Sequence, residues 1–169
     1  MSNIDLDRTR YSTGKLPHFQ YWFRAAQNSS GIIRLFCRLM YCYFGSILHH
    51  IEISTSTKIG GGLYIGHPYC ITINPHTVIG KNVNIHKGVT IGQENRGKRK
   101  GAPTIGDEVW IGVNATIVGN ITIGNDVLIA PNTYVNSDIP SHSIVYGNPC
   151  LIKYRENATL GYINRKTDD

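Results

Sequence analysis

The stretch APTIGDEVWIGVNATIVGNITIGNDVLIAPNTYV, residues 102–135, places an aliphatic side chain at every sixth position. These repeated positions are Ile105, Ile111, Ile117, Ile123, Ile129 and Val135. A period of six fits neither the 3.6-residue repeat of an amphipathic helix nor the two-residue alternation of a strand. Self-similarity at a fixed short period is instead typical of a solenoid, in which one small unit is stacked repeatedly.

The same period extends towards the N-terminus, through Ile53, Ile59, Ile65, Ile73, Ile79, Ile85 and Ile91. Between these positions Gly, Asn and Asp are frequent, and these residues tolerate the positive φ that tight corners require. We interpret each six-residue unit as one short strand and one corner, so that three units close one coil. The predicted fold is therefore mainly β, a three-sided parallel β-helix with stacked aliphatic side chains inside.

The period is interrupted twice. The interval from Ile65 to Ile73 is two residues longer than the repeat, and the extra residues follow His67. The interval from Ile91 to Ile105 is eight residues longer, and it contains the basic segment GQENRGKRKGAP. Insertions in a solenoid form loops on its surface, and such loops often carry the binding site. We expect function near these two breaks.

The first fifty residues lack the repeat and are predicted to form a helical segment. Residues 1–16 are polar and predicted irregular, and residues 16–26 are aromatic and predicted to form a short helix or turn. Residues 31–48 form a predicted helix that is apolar on most faces, which indicates burial. It caps the β-helix or contacts another subunit in one interpretation. In the other it lies on a membrane surface with Arg24, Arg34 and Arg38 facing the headgroups.

The predicted organisation is a helical segment at 1–50, a β-helix catalytic domain at 51–150 with an inserted loop at 92–104, and a tail at 151–169. No signal peptide is expected, because no apolar run follows the polar N-terminus. Charged residues interrupt the apolar residues 32–51, so no membrane span is predicted. The cysteines form no CxxC pair, so reduced thiols and a cytoplasmic location are expected, with membrane association through the N-terminal segment left open.

The net charge of +6 suits a polyanionic ligand such as a nucleotide cofactor, a nucleic acid or an anionic membrane. Nucleic acid is disfavoured, because aromatic residues for base stacking do not alternate with the basic ones. A metal site is not predicted either. His67, His76 and His86 follow their nearest inward aliphatic at different offsets, so they do not stack into one ligand cluster.

His67 is the predicted catalytic base, and Glu52 is its predicted partner. Glu52 is expected at the corner that opens the first coil and His67 near the corner that closes it, about 5 Å apart at the spacing of neighbouring strands. A carboxylate beside an imidazole sets its tautomer and stabilises the imidazolium formed when the ring takes a proton. Deprotonating a hydroxyl for attack on a thioester needs such a base.

The stretches IEISTSTKIGGGLYIGHPYCITI, NVNIHKGVTIG and residues 102–135 resemble the serine acetyltransferase branch of the hexapeptide-repeat acyltransferases. The resemblance covers about residues 34–153 and is closest to colanic-acid and capsular polysaccharide O-acetyltransferases. It implies a left-handed β-helix, a homotrimer with sites between subunits, and acetyl-CoA as co-substrate without a metal. In the family the base falls on His67 and its carboxylate partner on Glu52, and acetyl passes directly to the acceptor hydroxyl.

The resemblance also implies the coenzyme A contacts. Basic side chains of the inserted loop and tail would meet its phosphates, and backbone amides of the coils would hold its pantetheine arm. The implied positions are Gly92, Lys98, Arg99, Gly112, Val113, Ala130, Pro131 and Lys153. A solvated basic loop is the alternative interpretation of the charge.

The predicted substrate-binding residues are Gly66 and Asn74. The serine enzymes have an acidic residue directly before the histidine, where this chain has Gly66, and an Arg-His pair where it has Gly101 and Ala102. These departures favour a neutral acceptor, a sugar hydroxyl in polysaccharide or glycolipid synthesis. A serine O-acetyltransferase of cysteine biosynthesis and a non-catalytic β-helix scaffold remain as alternatives.

Overall fold

The computed structural model describes residues 1–167, and within them the helices precede the strands. The helices are α1 Asn3–Thr9, α2 His18–Asn28 and α3 Gly31–Tyr41, and a π-helix, Cys42–Ile47, continues α3. The β-structure begins at Ile51, close to the predicted start of the β-helix domain. A helical N-terminal segment is therefore confirmed.

The strands form three sheets that share one solenoid. Sheet A contains β1 Ile51–Ile53, β4 Ile71–Ile73, β7 Thr90–Gly92, β10 Thr116–Val118 and β13 Tyr134–Val135. Sheet B contains β2 Lys58–Ile59, β5 Val78–Ile79, β8 Thr104–Ile105 and β11 Thr122–Ile123. Sheet C contains β3 Tyr64–Gly66, β6 Asn84–His86, β9 Val109–Ile111, β12 Val127–Ile129, β14 Ser143–Tyr146 and β15 Leu151–Tyr154.

Each of the first four turns adds one strand to each sheet, and the strands pair in parallel except for the antiparallel β14 and β15. This architecture confirms the predicted mainly β fold, a parallel β-helix of hexapeptide repeats. The boundary predicted at residue 150 falls in the turn between β14 and β15. Residues 168 and 169 of the predicted tail lie outside the described residues.

The six-residue aliphatics form the core, as predicted, and every one of them is buried. They stack in register: Ile53 pairs with Ile73, Ile73 with Ile91, and Ile91 with Ile117. A fully buried isoleucine contributes roughly 1.5–3 kcal/mol of hydrophobic stabilisation. The repeated positions therefore account for a continuous core that runs the length of the solenoid.

Both predicted interruptions lie at corners. The two extra residues fall between β3 and β4, because Ile65 still pairs with Ile85 and Ile53 with Ile73. The larger insertion joins β7 to β8 and contains a 3₁₀ turn, Gly97–Arg99. Its base is closed by Glu94 and Gly101, which exchange backbone hydrogen bonds of 2.9 Å in both directions.

The prediction that residues 1–16 are irregular is wrong, because they include α1. The Ser2 side chain caps this helix by accepting a hydrogen bond from the Asp5 amide. The buried Asp7 carboxylate then accepts from Arg24 Nε at 2.8 Å and from the Leu63 amide at 2.9 Å. A buried carboxylate needs such partners, so this contact holds α1 against α2 and the first coil.

The helix predicted over residues 31–48 is present as α3 and the π-helix, and one of its faces is buried in the single chain, while its contact with another subunit or a membrane stays a prediction. Its buried residues include Cys37, Tyr41 and Gly45, while apolar side chains on the opposite face are exposed. The exposed set includes Ile32, Ile33, Leu35, Phe36, Leu39 and Ile47. Within residues 1–167, no helix is long and apolar enough to cross a membrane.

We expect Asp7→Ala to lower the free energy of unfolding by about 3–5 kcal/mol, since it leaves the Arg24 guanidinium buried and unpaired. Urea denaturation followed by circular dichroism measures the change. The matched control is Asp5→Ala, which removes an exposed carboxylate two residues earlier in the same helix. Equal shifts for the two variants would show that the buried ion pair does not hold the N-terminal segment.

Candidate active site

The outward face of sheet A brings together three residues that were predicted to have different roles. A groove of about 360 Å³ on this face is lined by Glu52, Asn74 and Gly92. Ser54, Thr72 and Pro75 also line the groove, together with Ile73 and Ile91. A predicted catalytic carboxylate, a predicted substrate residue and a predicted coenzyme A residue therefore share one surface.

Glu52 lies in the middle of β1 and not at the expected corner. Its neighbours Ile51 and Ile53 both point into the core, so the two-residue alternation of a strand turns Glu52 outward. Its partner across the strand pair is Thr72 of β4. The carboxylate is consequently exposed in the groove.

His67 lies at the corner between β3 and β4, in the left-handed conformation with φ of 52°. It is exposed, and within residues 1–167 no hydrogen bond or ion pair joins its ring to Glu52. The corner leads directly into β4, which pairs with the strand that carries Glu52. The two residues thus border the same face, and their action as a pair stays a prediction.

His86 was not predicted as a site residue, yet it lies directly beside this corner. It pairs in register with Gly66, and its Nδ1 donates to the Ile111 carbonyl at 2.9 Å. A Cβ built on Gly66 would lie 2.8 Å from His86 Cδ2 and 2.9 Å from Nε2. Gly66 therefore leaves the space that the His86 ring occupies. Because both residues directly follow an inward isoleucine, the sequence period already contained the signal for this contact.

The surroundings of His86 favour a neutral ring. Burial is the main cause that lowers the pKa of His86, and the charge of nearby His67 lowers it further. The hydrogen bond to Ile111 acts in the opposite direction. Because a carbonyl oxygen can only accept, Nδ1 carries the proton and Nε2 is left as an acceptor.

Of the predicted pantetheine positions, Gly92 ends β7 in sheet A, and the other four lie at the corner between sheets C and A, where few of their amides are free. The Gly112 amide donates to Ile129 and the Ala130 amide to Val145, both at 2.8 Å. Pro131 has no N–H, so Val113 is the one member of this group whose amide has no backbone acceptor within the described residues. A Cβ on Gly112 would lie 2.6 Å from the Pro131 nitrogen, so the close stacking itself requires glycine here.

The predicted basic residues lie on two different faces of the chain. Lys98 and Arg99 are exposed on the inserted loop, which starts at Gly92 in the sheet A groove. Lys153 lies in β15 and pairs with Ile144 at the far edge of sheet C. Within a single chain, the loop that carries Lys98 and Arg99 therefore begins at the groove, whereas Lys153 lies on a different sheet. Residues 1–167 contain no group of three His, Cys, Asp or Glu side chains that could hold a metal ion.

The six-residue repeat is the part of the chain that matches a known protein family. Residues 102–137 match the family described as "Bacterial transferase hexapeptide (six repeats)". Among curated proteins, the chain is 42% identical over 98 residues to a serine acetyltransferase of Helicobacter pylori. That match covers 58% of this chain, and the chain spans 57% of the length of that relative.

Two solved structures show how far the likeness extends in three dimensions. The serine acetyltransferase of Brucella abortus has a TM-score of 0.74 and 26% identity, covering 92% of this chain and 68% of that one. The Neisseria gonorrhoeae enzyme in complex with serine has a TM-score of 0.61 and 31% identity, covering 79% and 53%. These relatives support the serine acetyltransferase part of the resemblance, whereas the polysaccharide part stays a prediction.

We expect the stability of the protein to fall as the pH falls through the ordinary pKa of histidine, about 6.5, because of His86. Below that pH the unfolded ring takes a proton, while the folded ring, with its lowered pKa, does not. Urea denaturation between pH 8 and 5 should show a smaller loss for His86→Gln than for the wild type. The control is His76→Gln, at an exposed corner, and an identical pH slope for His86→Gln and the wild type would contradict the effect.

Proposed function

We propose that this chain is an acetyl-CoA-dependent O-acetyltransferase, and that its acceptor is the hydroxyl of serine. The similarity to named serine acetyltransferases carries this proposal. The groove on sheet A supports it, because a carboxylate, polar side chains and the start of a basic loop meet there. A non-catalytic β-helix scaffold, the alternative interpretation, would not need a carboxylate, polar side chains and a basic loop in one groove.

In the proposed reaction His67 removes the proton of the acceptor hydroxyl as its oxygen attacks the acetyl carbonyl. The thioester bond breaks, the coenzyme A sulfur leaves, and the imidazolium returns a proton to it. The products are the O-acetyl ester and free coenzyme A, with no acetyl group bound to the protein. Glu52, exposed on the adjoining face, stabilises the transient imidazolium by its negative charge.

The inserted loop is proposed to bind the phosphates of coenzyme A. Lys98 and Arg99 are exposed on it, and its end is anchored because the Asn120 amide donates to the Arg99 carbonyl at 2.9 Å. A loop fixed at its base and charged at its tip places cations without ordering a long free segment. In the trimer that the resemblance implies, this loop and Lys153 would belong to sites between subunits.

A sugar hydroxyl is the second candidate acceptor, and one observation favours it. The position before His67 is Gly66, and the His86 ring fills the space where a side chain would start. This corner therefore offers a neutral nitrogen in place of a carboxylate that could pair with the ammonium group of an amino acid. The named relatives favour serine over this candidate.

We expect His67→Ala to lower kcat for acetyl transfer by about 100-fold or more, the usual contribution of a general base. Coenzyme A release is followed with a thiol reagent, and gel filtration checks that the variant keeps its assembly. His18→Ala, an exposed histidine at the start of α2, is the control and should stay near wild type. Wild-type turnover by His67→Ala would exclude it as the base.

The same assay decides the acceptor. Free serine and a set of nucleotide-linked and lipid-linked sugars are each incubated with acetyl-CoA and the wild-type protein. Turnover on serine alone supports the first candidate, and turnover on a sugar alone supports the second. Coenzyme A release with neither would leave simple thioester hydrolysis and would overturn both.

We expect the double variant Lys98→Ala with Arg99→Ala to raise the KM for acetyl-CoA roughly five- to thirtyfold, because exposed ion pairs are each worth up to about 1 kcal/mol. kcat should change little. The matched control is Lys58→Ala, which removes an exposed cation from sheet B. If the double variant and the control have the same KM, the loop is a solvated surface and not a phosphate site.

A further inference from the structure

A second cleft, of about 560 Å³, lies on the outward face of sheet C. It is enclosed by the segment that follows α1, by strands β3, β6 and β9, and by the C-terminal tail. Its volume is in the range of small-molecule sites. Of the residues discussed above for acetyl transfer, His86 lines it, whereas His67, Glu52, Asn74 and the proposed coenzyme A contacts do not.

Aromatic rings form one wall of this cleft. The Trp110 ring centroid lies 4.6 Å from that of His86 and 5.2 Å from that of Tyr162. Tyr64 lies on the neighbouring strand and contacts Tyr11 at 4.9 Å. Tyr162 remains 51% exposed, so the wall is open to a ligand and is not a closed core. Exposed aromatic faces at a cleft mark a binding surface more often than a packing one.

The base of the cleft is rigid because Arg10 connects three segments there. Its Nε donates to the Asn164 carbonyl at 3.0 Å, one Nη donates to Asn84 Oδ1 at 2.6 Å, and the other to the Gly62 carbonyl. All three nitrogens of the guanidinium thus donate a hydrogen bond, and the residue is buried. A site held in place in this way loses little entropy when a ligand binds.

Within residues 1–167 the side-chain hydrogen bonds leave several polar groups of the cleft without a partner: Tyr162 is bonded through its carbonyl and His86 through Nδ1. The hydroxyls of Tyr64 and Tyr162, the indole N–H of Trp110 and Nε2 of His86 are therefore available to a ligand. Among the residues that the structure describes, no carboxylate lines the cleft, and the one lining cation other than Arg10 is the exposed Arg165. This lining disfavours an ammonium-bearing ligand and suits a neutral or acidic one.

We propose that this cleft is a saccharide-binding site that takes one sugar ring. The ring would stack on Trp110 and Tyr162, since the C–H face of a sugar is apolar while its edge carries hydroxyls. Those hydroxyls would bond to His86 Nε2 and the Tyr64 hydroxyl, and a carboxylate on an acidic sugar would meet Arg165. The inference does not depend on acetyl transfer or its acceptor. It does place a sugar on strand β3, the strand that leads through Gly66 to His67.

Fluorescence can report binding at this cleft, because the chain has two tryptophans, Trp22 and Trp110. In a Trp22→Phe background the emission comes from Trp110 alone. We expect a saturable change on titration with methyl glycosides of glucose, galactose, mannose, N-acetylglucosamine or glucuronic acid, and none with adenosine or serine. No saturable response to any of these sugars, or a response to adenosine alone, would overturn the proposal.

Calorimetry or saturation-transfer NMR on variants of the cleft then tests whether the sugar binds there. Trp110→Ala and, as a milder variant in the exposed tail, Tyr162→Ala should each weaken binding about tenfold or more. The control is Tyr154→Ala, an exposed tyrosine on β15 outside the cleft. Equal loss in the control would also overturn the site. His67→Ala should bind the sugar as the wild type does, so failure of acetyl transfer and failure of this proposal can be told apart.

Discussion

The inward isoleucines stack in register from coil to coil, and this stacking determines which side chains each strand presents on its outer face. Ile85 and Ile111, for example, lie on neighbouring strands of sheet C and are completely buried. Since each inward position is fixed, the residues directly before and after it are fixed as outward columns on the same sheet. One column places Glu52 beside Thr72, and another places Gly66 beside His86. The surface chemistry of this protein is therefore a consequence of its core period.

The same constraint leaves the first coil with an open end, and the N-terminal segment closes it. Strand β2 lies at the edge of sheet B, so its carbonyls have no preceding strand to pair with. Arg24 donates to the Ile59 carbonyl at 2.8 Å and to the Gly60 carbonyl at 2.6 Å, and Asp7 balances its charge. An uncovered edge invites pairing with another chain. In the first coil, Arg24 of the buried ion pair therefore supplies hydrogen bonds to carbonyls that in the other coils pair with a neighbouring strand.

The two faces of the solenoid that carry candidate sites differ in chemistry. Sheet A presents a carboxylate, threonine hydroxyls and a basic loop, which suit proton transfer and a phosphorylated co-substrate. Sheet C presents aromatic rings and neutral hydrogen-bonding groups, which suit a ring with hydroxyls. The corner at Gly66 and His67 separates the two faces. A sugar bound on one face would therefore lie next to the base proposed on the other, which gives the glycan alternative a physical basis that the named relatives do not supply.

The sequence predicts the β-helix, its core residues and the two corners where the register breaks, because a six-residue period depends only on local spacing. It also identified Glu52, Asn74 and Gly92, which the fold collects in one groove. Contacts between distant parts of the chain account for the remaining features. Ser2 caps helix α1 locally, and the helix is held in place because Asp7 contacts Arg24 and Leu63, residues far away along the chain. The His86 ring, the aromatic wall at Trp110 and the tail at Tyr162 meet for the same reason: their contacts join separate coils and both ends of the chain, and no local pattern encodes the distance between them.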